Sequence, residues 1–468
     1  MNYVQTIKAI HNQFEEIIQF QNQLNCIQED TMESIKSIID RSYIQSREKL
    51  SILLRLIQQC TTSRPKSFEL YVDLIMYISH HIQKHFSSFE LLNDLIQNNY
   101  LRYKLFERGL IHLSTVIYYL KNNHNPVLFF LFAFEIKEND PTSYSHYWAQ
   151  SPEYRDVLGH TNPELHRELR SKGLNTQQIS QYIRNDDLDQ FQIHLSRNNI
   201  SVNALINECQ YENRPYSENT LSLIEYAAMF GSINIFKFLL MRNCSLSPDL
   251  PMYAIIGGNY DIVHLLEEQE HFFNKPEFLD TAIAFHQNDL VEYIKDSLDV
   301  SFDNQSLRTS ISVYNLPVFF EIMLGFKQLP VIESPQMTLL SDFVQNGFVD
   351  LVESFYQYVE ESEKEKLINE SIHSKRFDAF HFLYSTIVVN EKYPINNQKL
   401  LWDSVSVGHM KIFQYLLQFN ENYFDIKNEL NNGILHIAAA YGDSDIIEYI
   451  VSLKPTQAQL NCQNKYGI

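Results

Sequence analysis

Residues Gly433–Ile450 read GILHIAAAYGDSDIIEYI. Two apolar runs flank a Gly442-Asp443 turn, and neither alternates as a strand would. Four residues before Gly442 stands a small residue, Ala438; three after it stands Asp445, followed by two apolar residues. The stretch predicts two short helices joined at the turn. Small side chains on the first let a neighbour approach closely. Glycine ends that helix because it adopts a positive φ without strain. Ile446, Ile447 and Ile450 form the apolar stripe of the second helix. One such pair cannot bury both its faces, so it calls for neighbours of the same kind.

Those neighbours are present upstream. The pattern small-x-x-x-turn-x-x-polar-apolar-apolar returns in AAMFGSINIF, AIIGGNYDIV, AIAFHQNDLV, SISVYNLPVF, FVQNGFVDLV, SIHSKRFDAF and SVSVGHMKIF, and more loosely in YIRNDDLDQF. The turn residues are Asp186, Gly231, Gly258, His286, Tyr314, Gly347, Lys375, Gly408 and Gly442. Successive spacings are 45, 27, 28, 28, 33, 28, 33 and 34 residues. The longer late steps lie near the roughly 33-residue ankyrin period. The 27 and 28 steps leave too few residues for a full finger between helix pairs, so those fingers are expected to be clipped into short turns.

Leu435-His436-Ile437-Ala438-Ala439 with Gly442 resembles the core of an ankyrin repeat, although Gly433-Ile434 replace the family's Thr-Pro. Glu225, Met252 and Trp402 stand where His436 stands in the last unit, which puts the inter-repeat hydrogen bonding of those units in question. The run LSLIEYAAMFGSINIFKFLL, MYAIIGGNYDIVHLL, DTAIAFHQNDLVEYI is similar to an ankyrin-like domain of unknown function in a large family of trichomonad-type protist proteins. In that family a helical segment precedes the array, and LFAFEIKENDP (131–141) and QYIRNDDLDQFQIHL (181–195) resemble its pieces. The resemblance implies protein–protein interaction and brings no catalytic residues.

Composition narrows the function classes. The chain has 468 residues, 44% hydrophobic and 20% charged, which is globular material long enough for several domains or one extended array. A net charge of −20 and a pI near 5.3 supply no basic stripe to neutralise phosphates, so nucleic-acid binding is not expected. Cys26, Cys60, Cys209, Cys244 and Cys462 form no Cys-x-x-Cys pair, which points away from zinc and disulfide frameworks and toward a reducing compartment. The N-terminus MNYVQTIKAIHNQFEEII has no signal-peptide core, and the run Val127–Phe134 is too short to span a bilayer and reads as a buried helix. The expectation is a cytoplasmic chain without cofactor or metal. Glycine numbers 12, and Gly257-Gly258 lacks the spacing and lysine of a P-loop.

Residues 1–170 also read as helical. Ile7, Ile10, Phe14, Ile17 and Ile18 recur at helical spacing, as do Tyr71, Leu74, Ile75, Ile78 and Ile82. Ser87-x-x-Glu90 is a capping box and Pro126 fits a first helical position. Pro141, Pro152 and Pro163 mark a junction between 139 and 175. The front part is either a separate bundle or a cap on the array.

Candidate chemistry is sparse. His81 and His85 lie four apart on a helix but have no evident third ligand. Glu360, Glu361, Glu363 and Glu365, with Lys364 and Lys366, read as a solvated helix end or an acidic docking patch. His436 reads as a hydrogen-bonding residue at a helix start. In ankyrin-like stacks the two residues before the turn tend to face the concave groove. Here they include Met229-Phe230, Ala284-Phe285, Gln345-Asn346, Ser406-Val407 and Ala440-Tyr441. Of these, Met229, Phe230, Phe285, Gln345, Asn346 and Tyr441 are the candidate partner-binding residues. The alternative is that they pack against neighbouring repeats or the N-terminal helices.

The reading is an all-α protein: a helical region over 1–170, then eight or nine degenerate ankyrin-like units over 176–468. The expected function is a non-enzymatic scaffold for a protein partner. The rivals are a substrate adaptor for a larger enzyme such as a ubiquitin ligase, and an enzyme with its site in residues 1–170. Gly467-Ile468 match Gly433-Ile434, so a further repeat is expected to be opening there, with residues beyond Leu453 weakly protected.

Overall fold

The computed structural model describes the chain except residues 1–2, 216–219, 269–275, 299, 327–338, 391–392, 421–422, 429, 442–443 and 468. Among the described residues regular structure is helical, apart from one two-residue antiparallel strand pair in which Leu205 faces Ser222 and Ile206 faces Leu221. The fold is all-α. It divides into two compact units, residues 1–327 and 328–468, and the expected boundary at 170–176 falls inside the first.

The first unit opens with helices running from Tyr3–Asn25 to Pro163–Lys172. Ile7, Ile10 and Phe14 are buried as their spacing predicts, but Ile17 and Ile18 are only half-buried, and Phe20, Gln21 and Leu24 carry the face onward. Tyr71, Leu74, Ile75, Ile78 and Ile82 are all buried, although the helix is interrupted at Ile78. The Ser87–Glu90 capping box forms, with Ser87 N donating to Glu90 Oε2 at 2.9 Å and Glu90 N donating to Ser87 Oγ at 3.2 Å. Residues 128–133 of the apolar run lie buried in the helix Pro126–Asn139.

The proline-rich stretch expected as a junction is itself helical. Pro141, Pro152 and Pro163 each occupy the first turn of a helical segment, where a missing N–H costs nothing. Asp140 and Asn162 cap two of these segments by accepting from Ser143 N at 3.0 Å and Leu165 N at 2.8 Å.

Helix pairs follow. In the first unit they are Gln178–Arg184 with Leu188–Arg197, Leu223–Met229 with Ile233–Met241, Leu250–Gly257 with Tyr260–Glu268, Pro276–Ala284 with Asn288–Leu298, and Asn304–Ser312 with Leu316–Gly325. In the second unit they are Leu339–Asn346 with Val349–Phe355, Lys364–His373 with Phe377–Tyr384, Asn397–Ser406 with Met410–Leu417, and Ile434–Tyr441 with Ser444–Ser452. Within each unit, the first helix of one pair packs on the first helix of the next.

The turns behave as the spacing predicts. Asp186, Gly231, Gly258, His286, Tyr314, Gly347, Lys375 and Gly408 all have φ between 53° and 75°. Gly442 lies outside the described residues. The small residue four before the turn is fully buried in most pairs, as at Ala227, Ala254, Ala282 and Ala438. Ser310, Ser371 and Ser404 take the same place, each hydroxyl donating to the carbonyl three residues back, so no polar atom is stranded. The first and sixth pairs depart from this pattern, with a half-buried Tyr182 and a buried Phe343 in that place.

Two features link consecutive pairs. First, the residue after the turn donates to a backbone carbonyl of the preceding pair's turn or first-helix end. Asn259 Nδ2 reaches Gly231 O at 3.2 Å, Gln287 Nε2 reaches Ile256 O at 3.1 Å, and Asn315 Nδ2 reaches Ile283 O at 3.0 Å. Ser232 does the same to Ile183 O, and Arg376 Nε to Gln345 O at 3.0 Å. His409 bonds the Lys375 backbone from this position. Carbonyls that a helix end leaves without an intrahelical donor are thus served by the neighbour. Second, carboxylates at the His436-equivalent position accept from the next pair. Ser247 Oγ donates to Glu225, and Ser306 Oγ donates to Asp280 at 2.9 Å. At Glu225 the questioned inter-repeat bond is present with a different partner type.

The N-terminal helices pack against the array within the first unit. Gln21 is buried; its Nε2 donates to Tyr314 O at 2.7 Å, and its Oε1 accepts from Leu316 N at 3.2 Å. Arg64 donates to Phe285 O at 2.9 Å and to His286 O at 3.0 Å. Gln21→Leu keeps the side chain's bulk and removes both bonds to the 314–316 turn. The expected loss is about 2 kcal/mol, read as a lower urea midpoint. An unchanged midpoint would show that the helix Tyr3–Asn25 holds by apolar contact alone.

Candidate functional site

The first helices of stacked pairs bring the two residues before each turn to one register. In the first unit this register is buried at Met229-Phe230, half-buried at Ala284-Phe285 and exposed at Asn185 and Ser312. Met229 and Phe230 are buried, at 2% and 4% exposure. The Phe230 ring lies 4.3 Å beneath the Arg184 guanidinium and 4.7 Å from the Tyr226 ring. Both side chains are thus covered within the array, and little of either is left at the surface. Phe285 is half-buried, and its carbonyl is engaged by Arg64.

In the second unit no residue described at this register is fully buried. Gln345 and Asn346 are half-buried; Gln345 O accepts from Arg376, and Asn346 Nδ2 donates to Asp342 O at 2.8 Å. His373-Ser374 and Ser406-Val407 continue the strip on the next two pairs, half-exposed at Ser374, Ser406 and Val407. Tyr441 is 65% exposed, beside an exposed Ala440. One turn earlier on these helices stand Asp342, Glu370 and Asp403. Burial raises the Asp403 carboxyl above its ordinary range, while His373 and Lys399 pull it back. The strip therefore offers amides, hydroxyls, an aromatic tip and acids. It holds no arrangement of nucleophile, base and oxyanion donor.

The other candidates are structural. His436 Nδ1 accepts from Gly433 N at 3.2 Å at the start of its helix. His81 and His85 lie on the helix Ser79–His85, and no cluster of three metal-ligating side chains exists among the described residues. Glu360, Glu361 and Glu365 are exposed around the start of the helix Lys364–His373. Asn431 Nδ2 donates to Gln463 O at 2.7 Å and Lys465 N to Leu430 O at 3.0 Å, so residues 463–465 are tied to the preceding finger. No helix among the described residues is long and apolar enough to cross a membrane.

Sequence reasoning missed the side-chain ladder after the turns and the cover supplied by Gln21 and Arg64. The first had a usable signal, since Ser232, Asn259, Gln287, Asn315, Arg376 and His409 share one position and all can donate. The second had none, because Gln21 and Tyr314 are 293 residues apart.

The chain resembles ankyrin-repeat proteins. A protein of Acanthamoeba polyphaga mimivirus, described as an ankyrin repeat protein, is 26% identical over 90 residues. That match covers 19% of this chain and 21% of the viral protein, so the chain matches about a fifth of that relative's length. Residues 243–322 match a family described as a domain of unknown function, DUF3447. They hold the third, fourth and most of the fifth helix pairs.

Proposed function

We propose that this protein is a non-enzymatic, cytoplasmic scaffold that binds a protein partner along the pre-turn strip of its second unit, in the manner of an ankyrin array. The observation that carries this is the contrast at one register: Phe230 is buried under Arg184, while Tyr441 is 65% exposed. A rigid aromatic side chain at the surface suits a contact residue. The viral ankyrin relative and the match over 243–322 support the general role. The five free cysteines fit a reducing compartment.

Affinity capture on the full chain, with Tyr441→Ala and Phe230→Ala alongside, tests the reading. Tyr441→Ala is expected to weaken partner capture about tenfold with its melting unchanged. Phe230→Ala is expected to lower the melting temperature, as truncation of a buried aromatic does. Partners captured equally by wild type and Tyr441→Ala would remove the strip from the reading. Ligase subunits retained through residues 1–170 would convert the scaffold into an adaptor.

A further inference from the structure

A cleft of about 300 Å³ opens in the first unit where the turn Pro65–Ser67, the end of the helix Pro163–Lys172 and the first helix pair meet. Phe68 and Tyr100 give it an apolar wall. Its polar lining is unusual for a chain of net charge −20, because it gathers Lys66, Lys172 and Arg184 around one lining acid, Glu69. That acid is already engaged from outside the cleft by Lys104 at 3.0 Å and Arg108 at 3.7 Å. Asp186, which also attracts the Lys66 ammonium from beside the cleft, has its carboxylate bonded to Asn234 and Ile235.

The donors outnumber the acceptors. Lys66 is exposed at the mouth and, among the described residues, makes no hydrogen bond or close ion pair, although Asp186 attracts it at longer range and burial lowers its ammonium pKa. The side-chain amides of Asn185 and Asn213 have no hydrogen bond among the described residues. Among the described residues Lys172 pairs with Glu168, and both side chains are more than half exposed, so that pair is weak and exchangeable. Arg184 sits deeper, held by Glu212 at 3.4 Å and Asn213 O at 3.3 Å through Nη1. Glu212 is itself served by Asn175 Nδ2 at 2.9 Å and by the Tyr226 hydroxyl, which fixes the guanidinium in place.

We propose that this cleft binds a phosphate monoester, with Lys66 and Lys172 clamping the phosphoryl oxygens and Phe68 and Tyr100 packing on the group that carries it. A phosphoryl group brings nearly two negative charges and three acceptor oxygens, which matches several separate donors; a carboxylate brings one charge and two oxygens. The cleft volume fits a phosphoryl group and a few carbon atoms, and lies at the lower end for small-ligand sites. Three pieces of chain separated in sequence converge on the ligand, so occupancy would also fasten the turn at Lys66 to the first helix pair.

Calorimetric titration of the full chain tests this with inorganic phosphate, O-phosphoserine, a phosphoserine heptapeptide and acetate. Phosphate and phosphoserine are expected to bind saturably. Lys66→Ala and Lys172→Ala should each weaken them about tenfold, with Lys66→Arg retaining most affinity. Both lysines are exposed, so melting curves of the variants should superimpose on wild type. Tighter binding of the heptapeptide than of phosphoserine would support the proposal with a modified protein as the source; equal binding would support it with a small ester as the source. Absence of saturable phosphate binding, equal affinity for acetate, or undiminished binding by both alanine variants would overturn it.

Discussion

Gly257→Ala is expected to destabilise the protein by about 4 kcal/mol, whereas Gly159→Ala should be neutral or stabilise by up to about 1 kcal/mol. Both glycines lie in helices without a positive φ, so helix propensity favours alanine at each. The difference is space. A Cβ at Gly257 would lie 2.0 Å from Ala228 O and 3.0 Å from Gly231 N, the two atoms of the preceding pair's turn hydrogen bond. Backbone cannot swing aside as a side chain does, so the first helices of the second and third pairs would have to separate. At Gly159 nothing lies within 4 Å. Urea midpoints of the two variants decide it. If Gly257→Ala matched wild type, the close approach of these helices would not be a requirement of the fold.

Acid should unfold the chain well before its carboxylates are fully protonated. Burial lowers the pKa of His166, His286 and His409 from 6.5 to about 4 each, with Arg170, Arg64 and Lys375 respectively adding to the shift. The unfolded chain takes up these protons near pH 6.5, while the folded chain refuses them until about pH 4. The unfolded state therefore binds more protons in that window. Stability is whole above pH 6.5 and falls as pH drops through 6 and 5 toward 4. Each histidine accounts for roughly 2 kcal/mol at pH 5, so the three together are comparable with the whole stability of many domains. His286 makes the local chemistry plain: its Nε2 meets Val313 O at 3.0 Å, and its Nδ1 is buried without a partner. Urea midpoints should fall steeply between pH 7 and pH 5, and His286→Gln should fall less steeply than wild type. A flat profile over that interval would show that these rings are not held neutral.

Much of the architecture was legible because a turn is a local event. The spacing of Gly231, Gly258 and Gly408 located the helix ends, and the same register located Asp186, His286, Tyr314 and Lys375, none of which is a glycine. Capping residues were legible for the same reason, as Ser87 and Glu90 illustrate. The candidate strip was legible only as a register. Whether Phe230 or Tyr441 meets solvent depends on what covers it, and the cover over Phe230 is Arg184, which stands one helix pair earlier. The docking of Gln21 on the 314–316 turn depends on residues at opposite ends of the first unit. Proline content alone did not reveal that Pro141 and Pro163 open helices, which the capping Asp140 and Asn162 before them make legible.

The left-handed turns have a consequence for how such chains keep or lose their identity. Glycine, aspartate, histidine, tyrosine and lysine hold one backbone conformation in eight successive pairs. A non-glycine residue there costs on the order of 1 kcal/mol. The side chain one place further on, bonding back to the previous pair, helps hold the geometry. The shape is thus recorded in dihedral angles and in the position of donors, while the letters at the turn are free to wander. A lineage built this way erodes its own signature without unfolding. Comparison by residue identity will lose sight of its members long before comparison by backbone does.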